Sequence, residues 1–124
     1  MALKEIIELP VNYVNNGSND IVQDDVINFL NTKKKFDIVY MDPPYNERQY
    51  APNFHVLENF ACNDKPELIG KTGIRPYSNQ ISKFCSKKEA INEFKLLVSK
   101  LKTNTFILSY STEGIMNYNS IKEI

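Results

Sequence analysis

Three regimes of apolar patterning divide the chain. Residues 86–101 carry Ala90, Ile91, Phe94, Leu97, Val98 and Leu101 at helical spacing, with Lys95, Lys100 and Lys102 on the polar side. That stripe predicts an amphipathic helix laid against a sheet. Ser86, with Glu89 three residues on, predicts a capping box at its start. Two short runs, residues 38–41 and 105–110, are apolar on both faces for most of their length. They read as inner strands of a parallel sheet. The weaker segments are expected to fill in around these. A short strand is expected at 11–14 and another at 21–23, the second ending at Asp24 and Asp25. Asp24 is the expected cap of a helix of about two turns carrying Val26, Ile27 and Leu30. A strand ending in acid, a short helix and the 38–41 strand make one βαβ unit. Phe54, Leu57 and Ala61 predict a buried helix over 53–62 capped by Asn53. Residues 63–85 read as a long loop, which in a small domain is often functional, and residues 115–124 as a weak tail.

Composition changes this picture little. A chain of 124 residues makes one domain, 1–124, that can bury roughly two thirds of its unfolded surface. No segment approaches the roughly 20 apolar residues that cross a bilayer. Acids stand in the first eight positions, where a signal peptide needs an apolar core, so a cytoplasmic protein with no membrane partner is expected. Cys62 and Cys85 form no Cys-x-x-Cys pair and are expected to be reduced and at least partly buried. His55 is the single histidine, so no metal centre is expected. The formal net charge is zero, but residues 71–88 hold Lys71, Arg75, Lys83, Lys87 and Lys88 without an acid, which allows a one-sided basic surface.

The chemistry concentrates where the first strand stops. Neither Pro43 nor Pro44 can donate to a ladder, so Asp42 sits at the carboxyl end of the strand, the edge where open α/β sheets bind ligands. Pro43 keeps Asp42 out of the helical region, and the Asp42 carboxylate and Pro43 carbonyl offer two acceptors to a group bearing two hydrogens, such as a nucleobase amine. Tyr45 adds a face on which an unstacked base can rest.

Asp42-Pro43-Pro44-Tyr45 after an apolar strand resembles the catalytic motif of amino-methyltransferases, above all the adenine-specific DNA methyltransferases of the Dam-like group. Asn46-Glu47-Arg48-Gln49-Tyr50 with Asn53-Phe54-His55, Gly70-Lys71-Thr72-Gly73, and Ser109-Tyr110-Ser111-Thr112-Glu113-Gly114 resemble runs found in its restriction-modification methylases. The resemblance spans about residues 20–118. It implies an α/β fold, part of a Rossmann-like sheet with flanking helices, S-adenosylmethionine as cofactor and double-stranded DNA as partner. It implies Asp42, Pro43, Pro44 and Tyr45 as catalytic residues and Asp25 with Asp42 beside the cofactor. Asn46, Arg48, Lys71, Arg75 and Tyr110 are expected to face the substrate, the loop 70–84 lying against DNA. Complete members carry a Gly-x-Gly loop that grips the cofactor; the glycines here, at 17, 70, 73 and 114, form none. The expectation is the carboxyl half of a longer enzyme, a truncated product or one part of a split enzyme, with the amino-terminal half or a second subunit as candidate partner. A non-catalytic nucleic-acid-binding or partner-docking remnant and an RNA guanine methyltransferase stand as alternatives.

Overall fold

The structure, a computed structural model, describes residues 17, 19–32 and 34–124; the strand expected at 11–14 lies outside them. Its elements in order are α1 (Val26–Leu30), β1 (Phe36–Met41), α2 (Tyr50–Asn53), α3 (His55–Cys62), a 3-10 turn at Lys83–Cys85, α4 (Ala90–Lys100), β2 (Thr103–Leu108) and α5 (Tyr118–Lys122). Among the described residues β1 and β2 form a two-stranded parallel sheet, in register from Phe36 opposite Thr103 to Met41 opposite Leu108. Parallel pairing demands a long crossover, and α2, α3 and α4 all lie within it.

Packing follows the helical stripe. Ala90, Phe94 and Leu97 of α4 are buried and form the core with Phe84 and Met116, while Met41, Phe106 and Leu108 press on it from the sheet. The rings of Phe94 and Phe106 stand 6.0 Å apart, centre to centre. The opposite sheet face is open: Ile38 and Tyr40 are each 63% exposed and Ile107 is 48% exposed. The expectation of strands buried on both faces therefore holds on one, because a single helical layer covers the sheet among the described residues.

Several boundaries differ from expectation. Residues 21–23 form no strand and Ile21 is 98% exposed, since no described strand lies beside them to complete a ladder. Asp25, not Asp24, caps α1: its carboxylate accepts the N–H of Ile27 at 2.8 Å and of Asn28 at 3.3 Å. The helix expected over 53–62 is two helices. Pro52 suits a first turn, so α2 begins at Tyr50 and Asn53 ends it rather than capping the next; α3 starts beyond Phe54. The capping box at α4 does not form. Glu89 holds the cap position without a side-chain bond, because the preceding turn already uses the Ser86 carbonyl to accept the N–H of Glu89 at 3.1 Å and of Ala90 at 2.9 Å. Cys62 is exposed and only Cys85 is buried. The tail is not weak: Met116 enters the core and Asn117 caps α5 by accepting the Ser120 N–H at 2.9 Å. Within the long loop, Ile69 and Ile74 make one antiparallel bridge, closed by a turn in which Gly70 (φ 71°) and Gly73 (φ 64°) take the left-handed conformation, one that β-branched residues resist.

Candidate active site

The tip that follows β1 is built from both strands. The Ser109 N–H donates to the Met41 carbonyl at 2.8 Å, which carries the ladder to the last residue of β1, and the Ile115 N–H donates to the Tyr45 carbonyl at 2.9 Å. Pro43 is buried and Pro44 half-buried, while Asp42 is exposed and Tyr45 is 44% exposed. A stiff apolar base thus presents a carboxylate and an aromatic ring outward at the carboxyl edge of the sheet. No described side chain or amide hydrogen-bonds to the Asp42 carboxylate or to the Pro43 carbonyl. The exposed groups of the tip are therefore the Asp42 carboxylate and the Tyr45 ring, while Pro43 between them is buried.

Tyr110 belongs to the support beneath. Its hydroxyl accepts the Met116 N–H at 3.1 Å and its ring packs against the core. A Cβ at position 114 would come within 2.8 Å of the ring's Cζ and 2.9 Å of the Ser111 carbonyl oxygen, so Gly114 is what lets the 111–116 segment fold over Tyr110. The half-buried phenol thus satisfies its oxygen locally and helps to shape the loop that anchors Tyr45.

The polar residues expected around the tip divide. Asn46 is half-buried and accepts the Arg48 N–H at 2.9 Å through its side-chain oxygen, an Asx turn that steers the chain away from the tip. Arg48 and Lys71 are exposed, and neither forms an ion pair with a described residue. Arg75 is different. Its guanidinium grips Asp64 at 2.5 and 2.6 Å and donates to the Asn59 side chain at 3.1 Å. That hydrogen bonding holds the Asp64 carboxyl below its usual range and pushes Arg75 upward. Arg75 ties the loop to α3, and both of its terminal nitrogens already donate to protein acceptors.

Pattern reading missed Gln49. Its amide donates to the Ser82 carbonyl at 3.1 Å and accepts the Ser82 N–H at 2.8 Å, and beside it the Cys85 thiol donates to the Arg48 carbonyl at 3.3 Å. Burial pushes the Cys85 thiol up. A glutamine between an arginine and a tyrosine carries no periodic signal; only its amide, able to mimic a strand partner, hints at the role. Asp25 lines a cavity of about 590 Å³ together with Asn28, Ser82 and Phe84. Among the described residues no group of three or more His, Cys, Asp or Glu side chains is placed to hold a metal, and no helix is long and apolar enough to cross a membrane.

Comparison with known proteins adds a lineage to this geometry. The family description of the D12 class N6 adenine-specific DNA methyltransferases matches residues 1–124. Type II methyltransferase M.FokI of Planomicrobium okeanokoites is 44% identical over 110 residues, 89% of this chain and 17% of that protein. Type II methyltransferase M.NlaIII of Neisseria lactamica is 43% identical over 88 residues, 71% of this chain and 26% of that protein. Modification methylase StsI of Streptococcus sanguinis is 40% identical over 110 residues, 89% of this chain and 16% of that protein. The chain therefore spans between 16% and 26% of the length of these relatives. No solved structure matches it.

Proposed function

Since the chain belongs to the D12 class N6 adenine-specific DNA methyltransferase family, we propose that it carries the base-holding part of an enzyme that methylates the exocyclic amine of adenine in double-stranded DNA, as restriction-modification methylases do. The observation that carries this reading is the exposed Asp42 carboxylate beside the exposed Tyr45 ring, both on a base stiffened by the Ile115-to-Tyr45 hydrogen bond. The two-stranded parallel sheet would be part of a Rossmann-like sheet. Its helical crossover and its ligand-facing carboxyl edge support that, as does the open face of Ile38, Tyr40 and Ile107.

The target adenine would be turned out of the duplex and stacked on Tyr45. Asp42 accepts one amino hydrogen and the Pro43 carbonyl the other, which orients the nitrogen lone pair away from both acceptors. As positive charge grows on that nitrogen, the Asp42 carboxylate stabilises it; holding the amine in line supplies much of the rest of the acceleration. S-adenosylmethionine would supply an electrophilic methyl group. The residues present fit its nucleoside end: the cavity of about 590 Å³ beside Asp25 falls within the range of small-molecule sites, and an exposed carboxylate with one oxygen engaged in capping keeps the other for a ribose or base hydrogen. Arg48 and Lys71 would contact DNA phosphates, with Asn46 turning the chain between them and the tip.

The test is methyl transfer from S-adenosylmethionine to duplex oligonucleotides by protein carrying this chain. Adenine-containing duplexes should be methylated and duplexes lacking adenine in one strand should not be methylated on that strand. Asp42→Ala should lower the rate by about a thousandfold with an unchanged circular dichroism spectrum. Transfer to cytosine or guanine amines, or full activity in Asp42→Ala, overturns the reading.

A further inference from the structure

Between α2 and the loop that crosses it lies a second concavity, of about 210 Å³, lined by Tyr50, Phe54, Glu58, Arg75, Tyr77 and Gln80 among others. We propose that it takes a second nucleobase of the DNA, one carrying an exocyclic amine, while the target base occupies the Asp42–Tyr45 tip. The proposal rests on the methyltransferase reading and deepens it by assigning a sequence-reading subsite. Four observations converge on it.

The walls are aromatic and remain open: Tyr50 is 50% and Phe54 54% exposed, and their rings meet edge to face at 5.7 Å. Aromatic surface left uncovered at the mouth of a cavity is what a stacking base would cover. The volume lies below the roughly 300–1,000 Å³ typical of sites for whole drug-sized ligands, which suits a single ring system better than a nucleotide. The charge selects against phosphate. Arg75 is already neutralised by its two bonds to Asp64, and Glu58 spends one oxygen on the Cys62 thiol, so its other oxygen leaves the cavity with an excess acceptor; a carboxylate takes a hydrogen from a base amine, and the Gln80 side chain offers both a donor and an acceptor. Finally, the two walls are fixed before any ligand arrives. Gln49 clamps Ser82, two residues beyond Gln80, to the start of α2 through bonds of 3.1 and 2.8 Å, and Arg75 fastens the loop to Asn59 at 3.1 Å. Such preorganisation lowers the ordering cost of binding. Tyr50 lies five residues past Tyr45, so one short segment joins the two base-holding surfaces.

The experiment follows side-chain resonances of the 124-residue chain by nuclear magnetic resonance during titration with adenosine, cytidine, uridine and inorganic phosphate. The expected result is a saturable shift of Tyr50, Phe54 and Tyr77 with adenosine or cytidine, weaker with uridine and absent with phosphate. Tyr77→Leu, which keeps an apolar wall but loses the π face, should weaken that binding about tenfold; Gln80→Ala, on an exposed side chain, should also weaken it, and Glu58→Gln should abolish the preference over uridine. Silence of these resonances, equal response to uridine, or a response to phosphate alone overturns the proposal. Tyr45 is read in the same spectra and reports the tip separately. A shift at Tyr45 with silence at Tyr77 removes the second subsite and leaves the methyltransferase reading standing; a shift at Tyr77 with silence at Tyr45 leaves a base-binding cavity but removes the target-base reading of the tip, and with it the assignment of the cavity as a second, sequence-reading subsite.

Discussion

Gly114 decides how closely the segment after β2 can pass over Tyr110, and through its neighbour Ile115 it fixes where Tyr45 sits. Gly114→Ala must displace the phenol ring or break its bond to the Met116 N–H, at a cost of about 1–3 kcal/mol by overpacking. Urea denaturation should show that loss, and methyl transfer should fall with it because the Tyr45 carbonyl loses its fixed partner. Asp64 acts through charge rather than volume. Its carboxyl is held low by the Arg75 hydrogen bonds, so the folded chain binds that proton less readily than the unfolded one. The contribution of the bridge is complete above the ordinary aspartate pKa of about 3.9 and fades as pH falls through the lower folded value. The denaturation midpoint of Asp64→Asn should therefore change less than that of the parent between neutral pH and strong acid. Asp64 is exposed and Arg75 half-buried, so solvent screens the pair and the difference is small.

Among the elements, α4 was legible in the sequence because six apolar positions repeat at helical spacing, and β1 because an apolar run ends on two prolines. Asp42 and Tyr45 were legible for the same reason: the prolines that stop the ladder also stiffen the tip. What escaped were features set by partners distant in sequence. Ile21 and Val22 have strand composition but no partner strand among the described residues, and Arg75 reads as a loop cation until Asp64 and Asn59 are seen to surround it. The clamp between Gln49 and Ser82 joins positions separated by 33 residues, beyond any local pattern. Gln49→Ala removes both of its bonds, and at about 1 kcal/mol each amide hydrogen exchange across residues 79–85 should speed up by tenfold or more. Exchange within α4 should stay near the parent rate, since its Phe94 and Leu97 contacts are untouched.

At the scale of the molecule, the described residues share a core of Phe84, Ala90, Phe94, Leu97 and Met116, and Met41, Tyr110 and Ile115 beside the tip pack against it. Two free thiols differ in their exposure to solvent. Cys62 is exposed, with burial of its surroundings and the hydrogen bond to Glu58 raising its pKa, while Cys85 lies buried against the Arg48 carbonyl. Iodoacetamide at neutral pH should label Cys62 slowly and leave Cys85 untouched until denaturant is added; mass spectrometry of the labelled peptides checks this.

The buried thiol consequently serves as a stopwatch that the chain already contains. Cys85 closes the junction where the segment leaving the tip meets the start of the long helix, so no reagent reaches its sulfur without parting the two. Each alkylated molecule records one such excursion, and the interval between them would tell how often the contact between Cys85 and the Arg48 carbonyl comes apart.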